Sequence, residues 1–437
     1  MGSYVPSTEE QRREMLQLIG LSDYRELYKD VPAGMYLDHL LDLPEGKSEL
    51  EVSRALAAMA KKNRVYDTVL RGAGAYDHYI PSIVKQIPAK EEFLTAYTPY
   101  QAEISQGVLQ SIFEYQTEIC ELTGMDVSNA SVYDGATAAA EAAAMARDRK
   151  RRITLVSAST HPDVINTIRT YSYGTNDEVK IIPIKNGKTD LEAMKALLGP
   201  EVASVYVQQP NFFGLFEDAN ALSDAVHESG ALFILGCNPI ALGIMKTPRD
   251  LGADIAVGEG QPLGLPIGFG GPYLGFMATT QKYMRRLPGR IVGETTDNAG
   301  NRAYVLSLQA REQHIRREKA GSNICSNEAL CALTASVYLA VMGPDGLAEA
   351  ASSSMAKAHY LCEQLCSLPG ISRRFEGEFF HEFLLDMPKP DKVLAALDEK
   401  NILGGLPYAD GVLWCVTEKV SKETLDEVVS IVKEAIA

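Results

Sequence analysis

GEGQPLGLPIGFGGPYLG, residues 258–275, lies between two short apolar runs, ADIAV before it and FMATT after it. Both runs have strand character, so a glycine-rich loop is expected to join two neighbouring strands. Glycine at this density opens backbone angles closed to other residues and lets the main chain approach a ligand or partner closely. The loop contains no lysine. The functional reading turns on that absence.

Outward from the loop, residues 152–280 alternate. ITLVSAS, VKIIPI, VASVYVQQP, ALFILGC, DIAV and FMAT read as strands, with helical segments at 191–198 and 219–227 between the earlier ones. Strands alternating with helices predict an α/β fold with a mostly parallel sheet covered on both faces. Residues 289–325 follow as a polar hairpin and a basic, amide-rich loop. Two long helices, 327–342 and 346–366, then lead into a strand, helix, strand, helix unit. The expected division is an N-terminal helical arm over 1–95, a large α/β domain over 96–325 and a small C-terminal α/β domain over 326–437. In the arm, Ser7 followed by Glu10 has capping-box spacing, and a second helical pattern covers 50–59.

The formal charge of −15 over 437 residues argues against nucleic acid or an anionic membrane surface as partner. No apolar run is read as long enough to span a bilayer, and the first residues lack a secretory apolar core. The seven cysteines are scattered, and Cys362 and Cys366 lack the paired spacing of a zinc site. Reduced thiols in a cytoplasmic protein are expected, with no metal.

Candidate polar residues fall in three places. Tyr97, Thr98, Tyr100 and Gln101 cluster around Pro99 in a stiff turn, read either as site residues or as a buried turn satisfying its own backbone. The run 311–319, with Arg311, His314 and Arg316, concentrates cations in an acidic chain; a solvated face and an interface both fit it. His78, among tyrosines, reads more readily as structural than catalytic.

Several long strings carry a resemblance: AYTPYQAEISQG, EYQTEICELTGMDVSNASVYDGATAAAEA, QPNFFG, GLPIGFGGPYLG and QAREQHIRREKAGSNIC. With them the chain resembles the glycine decarboxylase P-protein family of the glycine cleavage system, in the α (subunit 1) half of its split bacterial form. The resemblance implies a pyridoxal-phosphate-dependent fold type I architecture and an α2β2 assembly. It also implies that the β subunit holds pyridoxal phosphate. With that partner, this chain would decarboxylate glycine and pass the aminomethyl group to the lipoyl arm of the H-protein. A purely structural scaffold of that complex, or a stand-alone pyridoxal-phosphate enzyme, are the alternatives.

The residues bear on this division of labour. Such an enzyme needs a lysine for the Schiff base and an acid beside the pyridine nitrogen. Registered on the family's GGP, the Schiff-base position falls on Gln261, which cannot form an imine. The acid position falls on Leu235 in ILGCN. A phosphate would be expected at a helix N-terminus, yet Asp134 is placed there as an anionic cap. The expectation is a chain with no catalytic or cofactor-binding residues of its own.

Overall fold

The computed structural model describes residues 6–37, 39, 41–97 and 99–437. The chain divides into two units, residues 1–64 and 65–437.

The first unit contains the helices Glu9–Leu18 and Glu49–Ala60 and two short 3-10 turns, none of which buries a residue. The first helix is capped by Thr8, whose hydroxyl takes the Gln11 N–H while the Gln11 side chain takes that of Thr8. The cap thus sits one residue beyond the Ser7–Glu10 pair read from the sequence, because Thr8–Gln11 offers the same spacing. Leu18, Met35, Leu41 and Leu43 are among its exposed apolar side chains.

In the second unit a seven-stranded sheet runs in the order Val127–Ser128, Gly275–Thr279, Ile255–Glu259, Leu232–Cys237, Val202–Gln209, Ile153–Ser157, Glu178–Ile182. All pairings from Ile255–Glu259 outward to Glu178–Ile182 are parallel, and Gly275–Thr279 is antiparallel to both its neighbours. The central strands are buried on both faces, hence their near-continuous apolar sequences. One core lies on each face. Val205, Val207, Phe233, Leu235 and Ala256 belong to one, and Tyr206, Ile234, Val257 and the alanines of the helix Gly135–Ala146 belong to the other.

The helix Ala329–Cys366 is one element broken at Gly343, whose φ of 60° is followed by Pro344. Proline cannot continue a helix but opens one well, which is why the sequence reads as two. By length and composition this helix is apolar enough to cross a membrane. That corrects the expectation that no run qualifies. Part of its apolar surface packs inside the protein, where Tyr338 and Leu347 enter the large core and Leu361 and Leu365 the smaller one. A four-stranded sheet pairs Ser372–Arg373, Glu382–Asp386, Gly411–Cys415 and Leu406–Tyr408, all antiparallel, under the helices Pro390–Glu399 and Lys422–Ile436. Residues 65–95, assigned to the arm from sequence, lie in the second unit, where Thr68–Val69 pairs with Ile402–Leu403.

Candidate functional site

Parallel α/β sheets bind ligands in the crevice beyond the carboxyl ends of their strands. A cavity of about 230 Å³ lies there. Its walls come from Tyr206 and Gln208, from Gly236 to Asn238, from Gly258 and Glu259, and from the start of the helix Gly135–Ala146. His161, His381 and Glu382 close it.

The helix N-terminus is the natural anion site of this crevice. Here it is occupied from within. Asp134 caps it, Oδ1 accepting the Thr137 N–H at 2.7 Å. Glu259 Oε2 accepts the Gly135 N–H at 2.9 Å, and Oε1 accepts the N–H groups of Gln261 at 2.9 Å and Leu274 at 3.0 Å. The approach is close enough that a Cβ on Gly135 would lie 2.8 Å from the Glu259 Cβ, which is why a glycine opens the helix. Burial pushes the Glu259 carboxyl up to about 7 and the Asp134 charge adds to this, against the three N–H groups that favour the anion.

Gln261 is fully buried and does not line the cavity. Its Oε1 accepts the Tyr76 N–H at 2.9 Å, and its Nε2 donates to the carbonyls of Tyr76 at 3.0 Å and Leu265 at 2.7 Å. The amide thus clips the glycine-rich loop to the segment around Tyr76. Leu235 also lies away from the cavity, in the core on the opposite sheet face. Side chains alternate along a strand, so the wall position falls to Gly236 instead. A Cβ there would lie 2.1 Å from the Tyr206 hydroxyl.

Three further groups were not singled out from sequence. His161 donates through Nε2 to the Ala73 carbonyl at 2.8 Å, and its Nδ1 accepts the Asp163 N–H at 3.1 Å. Glu382 accepts from the Ala73 N–H at 2.6 Å and the Tyr76 hydroxyl at 2.8 Å, and burial pushes it up to about 7. Burial lowers the neighbouring His381, with His78 nearby, well below the usual imidazole range. The only sequence signal for these was their position at strand ends and helix starts.

The tyrosine turn and the basic run lie elsewhere. Tyr97 is 93 % exposed, Gln101 is exposed, and Thr98 lies outside the described residues. Tyr100 instead docks inward, its hydroxyl donating to Asn327 Oδ1 at 3.0 Å and its ring under the Arg290 guanidinium at 3.9 Å. Arg290 in turn pairs with Glu312 at 3.3 Å, which links Tyr100 to the basic run. Arg311 donates to the carbonyls of Leu287 and Gly289. His314 stands 3.6 Å from Glu312 and half exposed, and Arg316 is exposed. His78 is buried against Glu418 at 2.7 Å, away from the cavity wall.

Pyridoxal phosphate does not fit these walls. Among the described residues no lysine or arginine lines the cavity, and Asp134, Asp163, Glu259 and Glu382 do. A phosphate dianion would meet a carboxylate where it needs the Gly135 N–H.

The architecture is nevertheless that of the pyridoxal-phosphate-dependent fold type I enzymes. A sphingosine-1-phosphate lyase structure from Burkholderia pseudomallei matches 91 % of this chain, and 93 % of its own, with a TM-score of 0.67 at 14 % identity. The chain belongs to the glycine cleavage system P-protein family, whose model matches residues 2–432. A probable glycine dehydrogenase (decarboxylating) subunit 1 from Moorella thermoacetica is 50 % identical over the whole of both chains. A crystal structure of glycine decarboxylase (P-protein) in inhibitor-bound form is 43 % identical, with a TM-score of 0.91 over 99 % of this chain and 100 % of that one.

Proposed function

We propose that this chain works as subunit 1 of a cytoplasmic glycine dehydrogenase (decarboxylating), in an α2β2 assembly whose β subunit carries pyridoxal phosphate. Bound there, the cofactor supplies the electron sink for loss of carbon dioxide from glycine. The aminomethyl group then passes to the lipoyl disulfide of the H-protein. This chain's part is to build the assembly and to shape the partner's site from its exposed residues, among them Tyr97, Gln101, His314 and Arg316. The single observation that carries the reading is the Glu259 carboxyl group on the Gly135 N–H, which fills the place where the cofactor phosphate would have to sit. The cation-free cavity wall agrees with it.

The test begins with the isolated chain, incubated with pyridoxal phosphate, reduced with borohydride and mapped by mass spectrometry. No stoichiometrically labelled lysine is expected between residues 65 and 325. Glycine–bicarbonate exchange should appear only when β subunit and H-protein are added. One fully labelled lysine, or exchange by this chain with H-protein alone, would overturn the reading in favour of a stand-alone enzyme. A scaffold without contact to substrate differs in one respect: replacing the exposed side chains would leave exchange unchanged in the intact assembly.

A further inference from the structure

A second cavity, of about 450 Å³, opens between the C-terminal half of the helix Gly135–Ala146 and the segment 311–324. Its wall carries Arg285, Arg286, Arg311, Arg316 and Lys319, in a chain whose formal charge is −15. The two carboxylates on the same wall are already engaged. Glu312 pairs with Arg290, and Glu141 accepts the Ser322 hydroxyl at 2.9 Å. Burial also pushes Glu141 up to about 7, which weakens it as a counter-charge at neutral pH.

Arg147, on the same wall, pairs with Asp177, which also pairs with Arg152. Among the described residues, Arg285, Arg316 and Lys319 have no carboxylate within ion-pair distance. Arg311 bonds only carbonyl oxygens through its terminal nitrogens, and its buried Nε has no partner. Unneutralised cations facing one concave space repel each other, and a bound anion would relieve that repulsion. Guanidinium groups suit phosphate oxygens, which they bind through paired N–H donors. The volume exceeds what one monoanion needs and falls in the range of small-ligand pockets.

We propose that this cavity is a binding site for a small, multiply charged anion of the phosphate class, separate from the crevice at the strand ends. It does not rest on the decarboxylation reading, although Arg316 is shared with the exposed residues assigned above to the partner's site, which is why the titration is run with and without the partner subunit.

Calorimetric titration of the full chain with inorganic pyrophosphate, alone and reassembled with its partner subunit, tests the site. One saturable site per chain is expected in both, weakened by added salt. Arg285→Gln with Arg316→Gln, both at exposed positions, should weaken it by roughly tenfold or more. Lys392→Gln, on the helix Pro390–Glu399, should leave it unchanged. Citrate, a tricarboxylate, should bind more weakly. Absence of saturable binding, equal binding by the double variant, or tighter binding of citrate would overturn the proposal. So would loss of the site on assembly, which would make these cations part of a subunit contact.

Discussion

The Glu259 carboxylate accepts the Gly135 N–H at 2.9 Å, and so the anion site at the head of the helix Gly135–Ala146 is filled by a side chain from the glycine-rich loop. Loop, helix start and strand end are thereby tied together by one carboxyl group accepting three hydrogen bonds. A cofactor phosphate would make the same kind of contacts in the same place.

Removing that carboxylate should both destabilise the chain and open the site. Glu259→Ala leaves three N–H groups without their acceptor, a loss of about 1–3 kcal/mol in unfolding free energy. Formate, small enough to enter, should restore part of it, measured as a rise in Tm of the variant and none in the wild type. Equal response of the two proteins to formate would show that the helix terminus is not the site being vacated.

Placing a lysine at position 261 should not by itself create a cofactor site. Gln261→Lys removes the acceptor for the Tyr76 N–H and buries an ammonium near carbonyl oxygens only. Stability should fall by roughly 1–3 kcal/mol. Absorbance spectra with added pyridoxal phosphate should show no saturable aldimine band. Appearance of one would mean that the walls tolerate the cofactor after all.

Tyr97 and Tyr100 should separate in their effects. Tyr100→Phe loses the bond to Asn327 and should lower stability by about 0.5–1.5 kcal/mol. Tyr97→Phe should leave Tm unchanged, the ring being exposed. If the Tyr97 hydroxyl reaches the partner's site, glycine–bicarbonate exchange in the reconstituted assembly falls by about ten- to a hundredfold. Undiminished exchange in an intact assembly would return Tyr97 to a surface role.

Stability should decline as pH rises through the range between the ordinary carboxyl value of 4.5 and about 7. Burial raises Glu259 and Glu382 to about 7 in the folded chain. In that window the native state binds more protons than the unfolded state, so each unit of rising pH weakens it. Tm measured from pH 5 to pH 8 should therefore slope downward, less steeply in Glu259→Gln with Glu382→Gln. An unchanged slope in the double variant would assign the effect to other groups.

Residues 1–60 should matter for association more than for folding. Their helices bury no residue, and Leu18, Met35 and Leu43 are exposed. A chain lacking them should keep its Tm and fail to copurify with the β subunit. An intact heterotetramer from the shortened chain would remove the arm from the interface.

The sequence by itself determined the strand and helix alternation, the glycine loop between two neighbouring strands, the Asp134 cap and the family. Those features are written in local periodicity and in strings of adjacent residues. That the glycine-rich loop carries no lysine is likewise a fact of residue identity alone. Only the tertiary structure decided what these residues touch. Whether Leu235 or Gly236 faces the crevice depends on strand register, because one step along a strand exchanges its two faces. That Gln261 clips Tyr76, and that Glu259 reaches Gly135, depends on packing between segments 185 and 124 residues apart. Nothing in either local pattern records a partner that far away, since the contact exists only once the sheet has brought both backbones to the same edge.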